Sequence, residues 1–423
     1  MSTATTATGI RDRYVLISAD THAGAAINDY KPYLPSAWHD RFDAWAASFD
    51  DAWKDFGDDD DDDLRLGTSS FMSVVNWQSD RRLRDLERDG IVAEVIFPNT
   101  VPPFYPSGCL TAPAPRTREE YEARWVGIQA HNRWLADFCA DAPGRRAGVA
   151  QIFLEDVDDT VAEIRRAKQD GLKGVLLPGD HHVKTLSTYF PRFDPIWATC
   201  EELGMPVHRH GAVVADAAGP ETGVASPAIG LFEANSYNQH LFDQLVLASI
   251  FDRFPGLKLV YAETLASWVP DMLRRLDDFA WMASKEGSIP NLFAGEAVGR
   301  LKQRPSEYFS SNCYIGSFLG DGDVAVRHDV GVDRIMWGAD YPHHEGTWPN
   351  TELALRRNFA GLPQEEVRQM TSITAASVYD LDLGYLQTLA DEVGPRPEDI
   401  GKPLDVADFP DSPCPTFNAR FLG

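Results

Sequence analysis

The chain is predicted to be an α/β protein, a (β/α)8 barrel, and three observations carry that expectation. Strand-like apolar runs alternate with amphipathic helical stretches along most of its 423 residues, the pattern of parallel strands joined by helical crossovers. About eight such runs occur, the number that closes a barrel rather than an open doubly wound sheet. No Gly-rich nucleotide fingerprint argues for the open sheet.

Taken in order, the first strand is Tyr14–Ala19, where Val15, Leu16 and Ile17 form an uninterrupted apolar run suited to burial on both faces. Val92–Phe97, Ala147–Phe153, Lys173–Leu177, Pro206–Arg209, Leu257–Ala262, Tyr308–Tyr314 and Arg334–Trp337 follow as strands two to eight. Between them Glu119–Ala140, Asp156–Gln169, Phe193–Leu203, Tyr237–Phe254, Pro270–Met282 and Asp323–Val330 repeat apolar residues at helical spacing.

Two stretches break the alternation. Residues 28–79, after strand one, are rich in aromatics (Trp38, Trp45, Trp53, Phe56, Phe71, Trp77) and contain the acidic run Asp58 to Asp63. Adjacent aspartates repel one another and lack the alternating ligands of a calcium loop, so this run reads as a solvated loop. The aromatic part is suited to cap the barrel mouth. A Pro-rich tail runs from about Pro395 to Gly423 and reads as a wrap over the body or a partner subunit. The expected organisation is a disordered tail over 1–13, a metal-dependent barrel domain over 14–381 that includes the insertion 28–79, and a C-terminal extension over 382–423.

A net charge of −25 argues against phosphate backbones and anionic membranes as partners, and otherwise reads as solubility. The five cysteines, Cys109, Cys139, Cys200, Cys313 and Cys414, are scattered with no Cys-x-x-Cys pair, which suggests neither a disulfide framework nor a thiolate zinc site. No run approaches the ~20 apolar residues of a membrane span, and the first residues do not resemble a signal peptide. The compartment expected is the cytoplasm, and the partner a small molecule.

Ligand-type residues gather just past predicted strands, where a barrel keeps its active site. Asp20 and His22 follow strand one and, two residues apart, share a face of an extended segment. His208 and His210 do the same at strand five, and Asp340, His343 and His344 follow strand eight. Carboxylate oxygen plus imidazole nitrogen suits zinc or another divalent transition metal. Taken singly, Asp20 could cap a turn and His210 could be a satisfied buried histidine; the joint placement favours a metal.

The ordered set Asp20-Thr21-His22, Gly171-Leu172-Lys173-Gly174-Val175, Pro206-Val207-His208-Arg209-His210, Phe254 to Glu263 and Gly338-Ala339-Asp340-Tyr341-Pro342-His343 resembles the amidohydrolase superfamily. Within it the similarity is to the branch of aminocarboxymuconate-semialdehyde decarboxylase and resorcylate decarboxylase, from about Tyr14 to Leu381. The resemblance implies a distorted TIM barrel, often dimeric, holding one divalent metal, zinc first and manganese as the alternative. It implies Asp20 and His22 as paired ligands, His210 as the ligand after strand five, and Asp340 as an acidic group able both to bind the metal and to take a proton. His208 falls two residues short of the ligand position and is placed beside the site.

Relatives commonly carry His-x-His or Glu-x-His where this chain has Asp20-x-His22, and a histidine where it has Glu263. Were Glu263 ionised within ~4–6 Å of the metal, it would oppose an anionic substrate carboxylate. That favours hydrolysis of an amide, lactone or related C–N or C–O bond, with Asp340 as base and Glu263 as proton shuttle. The alternatives are metal-dependent decarboxylation of an aromatic or unsaturated acid, and a non-catalytic binding barrel. Lys173 stands where binuclear members carry a bridging lysine, though a structural turn explains it as well. His208, His343, His344, Trp268 and Tyr341 are the expected substrate contacts, Trp348 adding to the wall, although aromatics at this density are commonly core.

Overall fold

The structure, a computed structural model, describes residues 13–49, 74–106, 114–179, 187–211 and 225–418. The run Asp58 to Asp63, nearly all of the N-terminal tail, Trp53, Phe56, Phe71, Cys109, His181 and His182 lie outside the described residues.

Eight parallel strands follow one another around a barrel: β1 (Leu16–Ala23), β2 (Ile91–Pro98), β3 (Arg146–Gln151), β4 (Gly174–Leu176), β5 (Val207–His210), β6 (Leu259–Ala262), β7 (Cys313–Ser317) and β8 (Ile335–Trp337). Every neighbouring pair from β1 to β8 is parallel. A single parallel bridge between Thr21 and Tyr341 brings the last strand back to the first. The predicted TIM-type (β/α)8 barrel is the fold.

Alternation along the strands sorts the core into two shells. Val15, Ile17, Ala19, Val95, Phe97, Val149, Val260, Ala262 and Met336 cluster with Ala375, Ala376, Val378 and Tyr379 of helix Thr374–Tyr379. Leu16, Ile96, Val175, Val207, Tyr261, Ile315 and Trp337 face the other way and pack with the surrounding helices. The helices are set by local signals: Thr117 caps Arg118–Ala140 by accepting from the Glu120 amide, and Asp156 caps Val157–Gln169.

Strand seven differs from expectation. Tyr308–Asn312 is helical, within helix Pro305–Asn312, and the strand begins at Cys313. Pro305 at the first turn and the Glu307 carboxylate accepting from the Arg304 amide start a helix there, signals that outweigh the apolar run. The stretch Asp323–Val330 is two short helices, Asp321–Ala325 and Arg327–Val330.

The described aromatic residues of the insertion pack beside the loop that follows β2. Trp38, Phe42 and Trp45 surround Phe104, and the Trp45 indole donates to the Tyr105 carbonyl at 2.8 Å. In the tail, Leu404, Cys414 and Phe417 pack on Ala354, and Thr416 donates to the Leu319 carbonyl. Among the described residues, no helix is long and apolar enough to cross a membrane.

The seam between β1 and β8 needs a very close approach. A Cβ on Gly338 would stand 2.7 Å from the Asp20 Cβ and 3.1 Å from its amide nitrogen, closer than carbon atoms pack. Gly338→Ala is therefore expected to cost about 1–3 kcal/mol of stability, read as a lower denaturation midpoint; an unchanged midpoint would show that the seam yields freely.

Candidate metal centre

At the seam, β1 carries a bulge. Ser18 pairs with Glu94 and Thr21 with Ile96, so three residues of β1 span two of β2. Without it, alternation from Val15, Ile17 and Ala19 would turn Asp20 and His22 out of the barrel; the extra residue turns both inward. Ser18 Oγ donates to the Asp20 carbonyl at 2.7 Å and accepts from the Ala339 amide at 2.8 Å. The Asp340 amide donates to the Asp20 carbonyl at 2.8 Å, and the His22 amide to the Tyr341 carbonyl at 2.7 Å. Asp340 and Glu263 both hold left-handed backbone, with φ of 56° and 52°, a conformation costly for non-glycine residues and concentrated at functional sites.

These elements bring Asp20, His22, His210 and Asp340 together. His22 Nε2 lies 3.2 Å from Asp340 Oδ1 and 3.6 Å from Asp20 Oδ1, and His210 Nε2 lies 3.3 Å from Asp20 Oδ1. Ligands bound at about 2.0–2.2 Å around a tetrahedral or octahedral ion stand roughly 3.0–3.6 Å apart, the spacing seen. Asp20 Oδ2, His22 Nε2 and both Asp340 carboxylate oxygens are buried without a hydrogen-bond partner. Polar atoms left unmet at such depth are costly, and a divalent cation meets them all. The residues present therefore fit the metal.

Glu263 joins from β6, its Oε2 3.5 Å from His210 Nδ1. Glu345, which the sequence reading did not single out, adds a further carboxylate, within 4.8 Å of Glu263 and Asp340 oxygens. His343 Nδ1 stands 3.0 Å from Asp340 Oδ1, its Nε2 meets Asn99 Oδ1 at 3.2 Å, and its ring stacks on His22 at 4.0 Å. Asn99 in turn donates to Asn76 Oδ1 at 2.6 Å. His344 is half-buried beside it.

Other expected contacts are engaged elsewhere. His208 is fully buried, with Nδ1 at 3.1 Å from the Val175 carbonyl and Nε2 at 2.8 Å from the Tyr379 hydroxyl; both nitrogens are taken, so it supports the barrel interior rather than a substrate. Tyr341 is also fully buried, its ring against the Arg82 guanidinium and its hydroxyl donating to Asp85. The Trp268 indole donates to Thr264 and Leu265 carbonyls and its ring packs edge-on to Tyr261, bracing the loop that carries Glu263. Lys173 precedes β4 and pairs with Asp380 at 3.7 Å, at the amino end of the strand.

The electrostatics follow from burial and crowded carboxylates. Burial, with the Asp20 charge, pushes the Asp340 carboxyl up to about 7 against the pull of His22. Glu263 is raised well above the carboxylate range by burial and by Asp340, Asp20 and Glu345. Burial lowers His22 to about 3, helped by His343 and His210, which leaves a neutral imidazole ready to coordinate. Burial lowers His210 too, but Asp20 and the Gly211 carbonyl more than offset it and the net shift is upward.

Comparison with known proteins bears on the family and the fold. The sequence profile of a family described as amidohydrolase matches residues 110–381. A gamma-resorcylate decarboxylase of Rhodococcus jostii (strain RHA1) is 25% identical over 293 residues, covering 64% of this chain and 82% of that one. The solved structure of 5-carboxyvanillate decarboxylase from Sphingomonas paucimobilis superposes with a TM-score of 0.58 at 19% identity, covering 87% of this chain and 100% of its own. A dihydroxybenzoic acid decarboxylase from Polaromonas sp. JS666, solved with bound manganese and 2-nitroresorcinol, has a TM-score of 0.57 at 18% identity, over 87% of this chain and 97% of its own.

A cation entering this centre must expel the proton that Asp340 holds below its value of about 7. Divalent-ion affinity is thus expected to rise with pH through about 7, as Asp340 and His210 shed their protons, with proton release measurable by calorimetry in buffers of different ionisation enthalpy. Without metal the sign reverses. The folded chain keeps a proton that the unfolded chain loses near 3.8, so apo stability falls between there and about 7. An affinity indifferent to pH would remove Asp340 from the ligand set.

Proposed function

The chain belongs to the amidohydrolase family, and from that premise we propose that it is a metal-dependent carboxy-lyase, removing carbon dioxide from a hydroxylated aromatic acid without an oxidant. The observation that carries this reading is a carboxyl group beside the ligand set: Glu263, 3.5 Å from His210 Nδ1, whose ionisation is opposed by burial and by three neighbouring carboxylates. Decarboxylation replaces a carboxylate by a proton on the ring carbon, so it needs a donor that is still protonated near neutral pH.

Asp20, His22 and His210 would hold the metal, with Asp340 completing the set. A metal held there, manganese as in the Polaromonas relative or zinc as the residue types first suggest, would supply positive charge for the substrate's carboxylate. Glu263, with a side chain 23% exposed, gives its proton to the ring carbon that bears the carboxylate. The C–H bond forms, the C–C bond breaks with its electron pair returning to the ring, and carbon dioxide leaves. Glu263, now ionised, regains a proton through its exposed edge. A hydroxyl on the ring helps by feeding electrons to the carbon that accepts the proton.

This differs from the hydrolysis favoured on sequence grounds, and the difference is one of protonation. Three ionised carboxylates would repel an anionic substrate, but a neutral Glu263 contributes no charge. The named decarboxylases among the relatives favour the same side.

Incubation with a panel of hydroxybenzoic acids in D2O is expected to release carbon dioxide and place one deuterium at the vacated ring position. Glu263→Gln should lower turnover about 10²- to 10⁴-fold while bound metal persists. Incorporation of solvent ¹⁸O from amides or lactones, with no carbon dioxide from any acid, would return the assignment to hydrolysis.

A further inference from the structure

Behind the strand end that carries Asp20 and His22, on the outer side of the barrel wall, three charged side chains are buried together. Arg82 is 0% exposed, Glu94 1% and Arg146 5%. Arg82 Nε reaches both Glu94 oxygens at 3.0 and 2.9 Å, and its Nη2 reaches Oε2 at 2.7 Å. Arg146 Nε donates to the other side of the same carboxylate at 3.2 Å. Burying such a group is expensive, and a packed apolar cluster in its place is often as stable or more so. Stability alone therefore does not explain it.

The network differs from an apolar cluster in where its directional bonds go. Arg82 Nη1 donates to the carbonyl of His22 at 2.7 Å. Thr21, between the two β1 ligands, turns its hydroxyl outward to Glu94 Oε2 at 3.0 Å and to the Val95 carbonyl at 2.8 Å. The guanidinium also lies 4.9 Å from the ring of Tyr341, the residue after Asp340. One buried cation thus touches both segments that meet at the seam. The bulge makes this hold necessary, because an irregular ladder leaves the strand end less constrained by its neighbour.

We propose that Arg82 is a positioning residue for the metal centre, acting on His22 through its carbonyl and on the Asp20–His22 pair through Glu94 and Thr21. The inference rests on the ligand assignment made above and not on the reaction. Arg82→Lys keeps the charge but loses the fork that serves Glu94 and the His22 carbonyl together. Thr21→Val removes one hydroxyl at nearly constant volume. Arg146→Lys is the structural control, since Arg146 meets Glu94, Ser79 and the Phe138 carbonyl but none of the ligand segments.

The test is divalent-ion affinity of the full chain, together with the visible spectrum of its cobalt(II) form. Arg82→Lys and Thr21→Val are expected to weaken binding about 10- to 100-fold and to shift the cobalt bands, whereas Arg146→Lys lowers thermal stability but keeps both at their native values. If Arg82→Lys does not fold, Thr21→Val carries the test. Native affinity and spectrum in the folded variants would overturn the proposal, as would equal weakening in Arg146→Lys. A wild-type chain that binds no divalent ion would instead overturn the ligand assignment, and the proposal with it.

Discussion

The seam between β1 and β8 is the constraint on which the site depends, because the buried ligand groups sit on both sides of it. Asp20 and His22 arrive on the first strand and Asp340 just past the last, and the bridge from Thr21 to Tyr341, the bonds to Ser18 and the Asp20 carbonyl, and the Arg82 contacts with both segments hold them within coordinating distance. A parallel barrel suits such a site well. Its strands end together at one face, so residues distant in sequence converge without any local motif having to span them.

The convergence is costly. Two carboxylates and an imidazole nitrogen are stripped of water with unmet hydrogen-bonding atoms, and two of the acidic residues are held in left-handed backbone. The rest of the fold is large enough to offset this, since the two shells of apolar side chains are continuous around the barrel. A divalent cation converts the unfavourable cluster into a favourable one, so metal binding and local order are coupled. A site built this way exchanges stability of the empty chain for readiness to bind.

Much of this was legible in the sequence, for physical reasons that also mark where legibility ended. The eight parallel strands were readable because strands buried on both faces are short, apolar and separated by amphipathic helices. The ligand types past β1, β5 and β8 were readable because few residue types bind metals. The bulge was not, since the run from Val15 carries no mark of an extra residue and the register shift appears only against β2. Strand seven was misplaced by several residues because Tyr308 and Phe309 suit a buried helix face as well as a strand. His208 looked equivalent to His210 by spacing, yet its nitrogens are taken by Val175 and Tyr379, whose positions depend on packing distant in sequence. Asn76, Asn99, Glu345 and the Arg82–Glu94 pair carried no signal of their own; each gains meaning from the partner it meets in space.

The same limit governs the chemistry. Counting carboxylates in the sequence treats each as a full negative charge, and the count then argues against an anionic substrate. In the folded site the carboxylates are close enough to alter one another, and burial makes ionising all of them too costly. Some must stay neutral, so an excess of acidic residues becomes a supply of protons. A glutamate where the resemblance implies a histidine therefore leaves a proton-holding group at the end of β6. With the burial and carboxylate neighbours found here, a glutamic acid can hold a proton at a pH where an exposed one would have lost it.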